Sequence, residues 1–192
     1  MHPQPDEPAL IAQAQRGDMA ALSALYERHV NAIYKFMFYR TGDTMAAEDL
    51  TAEVFAAMLT AIARYQERGV PFQAWLFRIA RARLTDYWRK VQRREKYHDD
   101  LTAPDDRPDI PSTDTLEETF DYEPLRQALR YLTPAEAEVI TLRFAGDLDN
   151  QAIALVIHSN ANAVKSKLRR ALQKLREIME RQEAFHTQRG EK

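Results

Sequence analysis

The sequence predicts an all-α protein built from two small domains, and three observations carry that prediction. Apolar residues recur at steps of three and four along most of the chain, without the period-two alternation that marks strands. The breaks between periodic segments carry helix punctuation: Gly17-Asp18, Thr41-Gly42-Asp43, Gly69-Val70-Pro71, Thr133-Pro134 and Gly146. Residues 97–122 hold Pro104, Pro108 and Pro111, a surplus of acids and few large apolar side chains. Such a composition cannot offset its own ordering entropy and reads as a linker. The expected layout is a helical domain over 8–96, the linker over 97–122, and a second helical domain over 123–182.

In the first domain, residues 1–8 hold three prolines and read as a loose arm. A short helix follows with Leu10, Ile11 and Ala14 on its core face. Asp18 is placed to cap a second helix carrying Leu22, Leu25, Tyr26, His29, Ile33, Phe36 and Met37. Asp43 or Thr44 caps a third, with Leu50, Val54, Phe55, Met58, Leu59 and Ile62 facing inward. Its acids Glu48 and Asp49 sit near the positive end of the helix dipole. Four helices with short connections make one all-α domain.

The fourth helix, from Phe72 to Arg94, has two opposed faces. Phe72, Trp75, Leu76, Ile79, Ala80, Leu84, Tyr87, Trp88 and Val91 form an apolar stripe of the width a core-facing helix needs. Arg78, Arg81, Arg89, Lys90, Arg93 and Arg94 lie mostly off that stripe, and Asp86 is the one acid in the segment. Taken alone, the cationic side is equally a solvated face and a polyanion-binding one.

The second domain begins with Leu125, Ala128, Leu129 and Leu132. Thr133, Pro134 and Glu136 spell a capping box with proline at the first helical position. The helix they start carries Ala137, Ile140, Thr141 and Phe144. Asp149 or Asn150 caps a short helix through Ile153, Ala154 and Ile157. After His158-Ser159-Asn160 a long helix runs to about Glu180, with Val164, Leu168, Ala171, Leu172, Leu175 and Met179 inward. Two helices joined by a short turn, the second one basic, make a helix-turn-helix. Lys165, Lys167, Arg169, Arg170 and Lys174 meet no acid before Glu177. Asn160, Asn162, Lys165, Ser166, Arg169 and Arg170 occupy the turns where such proteins read bases and phosphates in the major groove.

Composition bounds the rest. The chain of 192 residues is 45% hydrophobic, enough for a real core, and contains no cysteine. Disulfides, thiolate metal sites and a cysteine nucleophile are thereby excluded. No apolar run approaches a membrane span, and MHPQPDEPAL resembles no signal peptide, so a cytoplasmic protein without membrane contact of its own is expected. The net charge of -2 conceals a segregation along the chain. Bases dominate from Arg64 to Lys96, whereas from Asp99 to Glu123 the acids stand against Arg107 alone. Local field rather than net charge governs attraction to a polyanion. His2, His29, His98, His158 and His186 show no metal-ligand spacing, and no glycine-rich phosphate loop or Ser-His-acid grouping emerges, so no cofactor, metal or catalytic residue is assigned.

Three motifs carry a family resemblance: AEDLTAEVF at 47–55, FQAWLFRIARARLTDYWRK at 72–90, and LTPAEAEVITLRF with AVKSKLRRALQKLRE at 132–144 and 163–177. In this order they resemble the extracytoplasmic-function (ECF) type of bacterial RNA polymerase sigma factor, in which sigma region two and sigma region four are joined by a flexible linker. The resemblance spans roughly residues 10–180. It implies a promoter-specificity subunit, with core RNA polymerase and promoter DNA as partners, an anti-sigma factor as a further one, and no enzymatic activity. Glu48, Asp49 and Glu53 match the surface that docks on the polymerase clamp. The loop from Tyr65 and the helix after it match the segment that captures the minus-ten strand, which assigns Phe72, Arg78, Arg81, Arg89 and Lys90 to DNA. Trp75, Tyr87 and Trp88 lie on the apolar stripe, where packing is their better reading. Asn160, Asn162, Lys165, Ser166, Arg169 and Arg170 fall to the minus-thirty-five duplex. The linker resembles a segment that threads through the polymerase.

Several positions depart from the family pattern. Ala82 stands where asparagine usually follows the IAR triplet, Ala52 where glutamine is common, Ala152 where glutamate is expected, and His158 at the turn glycine. Two rival readings remain at this point. One is a stand-alone helix-turn-helix regulator; the other is a sigma mimic that sequesters an anti-sigma factor.

Overall fold

The computed structural model describes the backbone of residues 6–99 and 127–190 and the side chains of 6–94 and 127–181. Among the described residues every regular element is helical. The chain divides into two compact units, Met1–Pro111 and Ser112–Lys192. Most of the expected linker lies outside the described residues.

In the first unit α1 (Glu7–Ala14) buries Leu10, Ile11 and Ala14. Asp18 accepts hydrogen bonds from the amides of Ala20 and Ala21 at 2.8 and 3.2 Å and starts α2 (Met19–Thr41). Gly42, at φ 72°, ends α2 in the left-handed conformation while its amide donates to the Phe38 carbonyl. A side chain there would be strained. Asp43 accepts from the Ala46 amide at 2.7 Å and opens α3 (Thr44–Ala61). A single 3-10 turn, Ile62–Arg64, leads to a loop and then to α4 (Phe72–Asp99). The fourth helix thus continues three residues into the segment expected to be linker.

The core forms where α2 meets α1, α3 and α4 and where α3 packs on α4. Leu25, Ile33, Phe36, Met37, Val54, Met58, Leu76 and Phe77 are among its largest fully enclosed side chains, each contributing about 1.5 to 3 kcal/mol through removal of apolar surface from water. Phe77 lies outside the predicted stripe yet is fully buried, edge-on to Phe36 with centroids 5.4 Å apart. Contacts with both α2 and α3 demand a wider apolar face on α4 than a one-sided stripe supplies. Tyr26 and Leu59, expected inward, are about half exposed. Buried His29 places Nε2 2.9 Å from Glu7 Oε1, tying α1 to α2. That hydrogen bond holds the Glu7 carboxyl below its ordinary pKa, against an opposing contribution from burial.

The second unit enters the described region as a helical stretch over 127–129. Thr133 then starts α5 (Pro134–Phe144) with the complete capping box the sequence predicts. The Thr133 hydroxyl accepts from the Glu136 amide, and the Glu136 carboxylate accepts from the Thr133 amide at 3.0 Å. Asp149 caps α6 (Asn150–Ile157), accepting from the Ala152 amide at 2.7 Å. The last helix, α7, is Ala161–Gly190 and runs beyond the expected end of the domain. All three helices pack on one another. Val139 and Leu142 are fully buried, whereas Phe144, predicted inward, is 63% exposed. A helix covered by two neighbours buries most of its circumference, and its last turn then projects past them. Leu172 and Met179 are likewise partly exposed, beside a buried seam of Val164, Leu168, Ala171 and Leu175.

Glu136 also fastens α5 to the long helix. Lys174 Nζ donates to both of its carboxylate oxygens, at 2.8 and 3.0 Å. That hydrogen bond and then the Thr133 amide bring the carboxyl from 4.5 down to about 2. A carboxyl depressed on folding contributes stability that is complete above the ordinary value and lost as pH falls through the folded one. The second unit should therefore lose stability between pH 4.5 and about 2. Glu136→Gln, which keeps a capping-box side chain but not the ion pair, should lower the neutral-pH melting temperature and flatten that acid dependence, as read by circular dichroism melts across the window.

Candidate nucleic-acid and polymerase interface

Three sets of side chains are expected to carry function, and two of them meet on the first unit. On α3, Glu48, Asp49 and Glu53 are all exposed. They accompany Met45, Ala52, Ala56 and Leu59, which recur at helical spacing on the solvent side, with Met45 76% and Leu59 52% exposed. Acids beside exposed apolar side chains on one face suit a partner that brings both bases and apolar surface.

On α4, positions 78, 82, 85, 89 and 93 fall on one side of the helix at spacings of four, three, four and four. Arg89 and Arg93 are exposed, whereas Arg78 and Arg81 are half-buried and already have interaction partners. Arg89 pairs with Asp86 at 3.5 Å, both side chains mostly in water, so the pair contributes little and releases its cation readily. Ala82 lies exposed within this row. Behind it a groove of about 180 Å³ opens between α3 and α4, lined by Leu50, Glu53, Arg83, Asp86, Tyr87, Lys90 and Arg93. The groove brings Glu53 of the acidic set beside Lys90 of the cationic one. Arg93, already on the cationic side in the sequence, shares this wall with Arg83, which periodicity does not single out.

The loop between Arg64 and Phe72 corrects one assignment. Phe72, expected to meet DNA, is only 1% exposed. Its ring packs on His29, Tyr65 and Trp75 with centroids 5.5, 5.4 and 5.3 Å away, so it closes the core at the start of α4 and offers no face to a base. Tyr65 is buried with it and its hydroxyl donates to the Val70 carbonyl at 2.9 Å, pinning the loop at both ends. Burial first, then the charges of Glu67 and Glu7, push that phenol up to about 12. Gln15 adds a brace, donating from Nε2 to the carbonyls of Ile62 and Tyr65 at 3.1 and 2.7 Å. Gln66, Glu67, Arg68 and Gly69 form the exposed tip. Trp75, Tyr87 and Trp88 are each half-buried, so packing takes part of every ring. Burial, followed by the charge of Asp43, raises the Tyr87 phenol above its ordinary value.

On the second unit the helix-turn-helix is α6, a turn over residues 158–160, and α7. Asn162, Lys165, Ser166, Arg169 and Arg170 are exposed. The first four share one face of the first two turns of α7, opposite the Val164–Leu168 seam. Asn160 is exposed as well, but its side-chain oxygen accepts from the Ala163 amide at 2.8 Å. It is thereby the N-cap of α7, and its amide nitrogen takes no part in that cap. Among the described residues no group of His, Asp and Glu is placed to hold a metal, and no helix is long and apolar enough to cross a membrane.

Comparison with known proteins supplies the deciding observation. Residues 25–94 match the family model Sigma-70 region 2, and residues 122–175 match Sigma-70, region 4. ECF RNA polymerase sigma factor ShbA of Streptomyces griseus is 31% identical over 140 residues, covering 69% of this chain and 71% of that protein. The chain belongs to the ECF sigma factors. ECF sigma factor BldN of Streptomyces coelicolor is 30% identical over 170 residues, covering 88% of this chain, which spans 64% of that relative's length. ECF sigma factor SigD of Mycobacterium tuberculosis is 28% identical over 173 residues, 88% of this chain and 82% of its own. Among solved structures, RpoE of Bartonella quintana, in complex with the anti-sigma factor NepR, aligns with a TM-score of 0.69 at 20% identity over 82% of this chain and 96% of that one. CnrH, in complex with the cytosolic domain of CnrY, aligns with a TM-score of 0.63 at 23% identity over 91% of this chain and 97% of its own. At those identities the two structures show a shared fold. Sigma factors are regulatory subunits, not an enzyme class. In this ECF sigma factor, α3 and most of α4 fall within the region-two match, and α5, α6 and the first half of α7 within the region-four match.

Proposed function

We propose that this ECF sigma factor docks on core RNA polymerase through Glu48, Asp49 and Glu53, holds the melted minus-ten strand along α4, and reads the minus-thirty-five duplex with the first turns of α7. In this reading Arg78, Arg81, Arg89 and Lys90 track strand phosphates, joined by Arg83 and Arg93. Asn162, Lys165, Ser166, Arg169 and Arg170 face the major groove, while Asn160 chiefly caps the helix. The functional domains are residues 8–96 and 123–182, with 97–122 linking them, and the protein works in the cytoplasm. It carries out no catalysis of its own. An anti-sigma factor, the kind of partner bound to RpoE in its structure, would compete for these same exposed faces.

The observation that carries the reading is the pairing of an exposed acidic and apolar face on α3 with a cationic face on the adjacent α4. A stand-alone duplex-binding regulator has no use for the first unit's two opposed surfaces. The test adds purified chain to bacterial core RNA polymerase and reads transcripts from a random fragment library. Co-elution with core and discrete start sites are expected; no association would sink the proposal, and association without initiation would favour a mimic. Asp49→Lys with Glu53→Lys places like charges against a basic partner, which should weaken association at least about tenfold while leaving helicity unchanged. Titration of labelled chain against core measures it.

A further inference from the structure

The turn of the helix-turn-helix holds a residue that its backbone does not favour. Residue 158 ends α6 at φ 54° and ψ 52°, the left-handed conformation. The turn requires it: the amides of residues 158 and 159 both donate back to the Ala154 carbonyl, which reverses the chain before α7 begins. Glycine enters this region freely, and asparagine, aspartate and histidine with less strain than other L-residues, though with more than glycine. Here the position is His158. Among the described residues the other non-glycine residue at positive φ is Asp147. A side chain kept where glycine would be unstrained points to a use for that side chain.

No packing use is available to it. His158 is exposed, and among the described residues no hydrogen bond, ion pair or ring contact holds its imidazole. It stands two residues before Asn160, the N-cap of α7, in a run with Ser159 and Asn160 that is exposed throughout. When the start of α7 enters a major groove, the turn preceding it lies at the groove rim, where the phosphates run. An imidazole N–H at that point donates to a phosphate oxygen. Resting on the reading of α7 as the duplex-reading helix, we propose that His158 is a further DNA-contacting residue, binding a backbone phosphate of the duplex and positioning α7 in its groove.

The proposal predicts opposite signs for stability and binding. In the full-length chain His158→Gly relieves the left-handed strain, so the melting temperature of the second unit should hold or rise. Affinity for a short duplex selected by the full chain from a random-sequence pool should fall about tenfold, the size of one lost hydrogen bond to a charged group. His158→Asn, which tolerates the conformation and keeps an N–H donor, should recover part of that loss. A merely structural residue would move both quantities together. Lys165→Ala serves as the reference. If it weakens binding while His158→Gly does not, His158 makes no phosphate contact and the proposal is overturned. If neither variant weakens binding, the proposal falls together with the duplex-reading role of α7.

Discussion

Phe72→Ala is expected to cost the first unit about 3 to 5 kcal/mol, the range for emptying a buried aromatic site. The ring is 1% exposed and touches His29 of α2, Tyr65 of the preceding loop and Trp75 of α4 itself, which converge at the start of α4. Urea unfolding followed by tryptophan fluorescence measures it, since Trp75 sits 5.3 Å from the ring. The substitution should abolish minus-ten strand binding as well, but only by unfolding its scaffold. Phe72→Leu separates the two causes by keeping an apolar side chain in the pocket with a smaller loss of stability. Strand binding near the wild-type level in a folded Phe72→Leu protein is the expected result. A folded variant that no longer binds the strand would show that Phe72 leaves the core to meet a base.

Lys165→Ala combined with Arg169→Ala should have the largest effect on duplex binding. Both side chains are exposed on the same face of α7, clear of the Val164–Leu168 seam. Stability should therefore change by less than about 0.5 kcal/mol. Removing a side chain that reads a base should cost about 1 to 3 kcal/mol of binding. Removing one that meets a phosphate should reduce the slope of log affinity against log salt by about 0.9. Binding isotherms at several salt concentrations distinguish these roles residue by residue. An unchanged slope and affinity in the double variant would remove this face of α7 from the interface.

Much of this is legible in the sequence because local rules and tertiary packing agree. Asp18, Asp43, Thr133 with Glu136, and Asp149 each cap the helix their position suggests. A short polar side chain ahead of a periodic run has one favourable use wherever the chain folds. The left-handed turn at His158 follows in the same way, from the need to reverse direction between two helices. The helix faces are less legible. Periodicity leaves Phe77, Val139 and Leu142 out of the core and draws Phe144, Leu59 and Tyr26 into it, and the structure reverses both. A three-and-four spacing locates the centre of an apolar face but not its width, which depends on how many neighbours cover the helix. Phe72 misleads for a related reason. Its place on the apolar stripe points to burial, but the resemblance assigns it with the adjoining loop to DNA, and periodicity within one helix does not show that Tyr65 and His29, from other segments, close over it. The groove between α3 and α4 depends on the relative rotation of two helices distant in sequence, so no single-helix pattern could reveal it.

That groove ties together two events that would otherwise look independent. Glu53 and Lys90 share its lining, with Arg83 and Arg93 on the same wall. If a basic polymerase surface engages Glu53, the acid no longer offsets those cations, and the potential felt by an approaching strand becomes more positive. By thermodynamic reciprocity a bound strand must strengthen the docking in equal measure. On the proposed assignment, then, the two binding events are cooperative within the first unit. Binding the polymerase first makes it a better ligand for DNA, and the free protein is the weaker binder of the two.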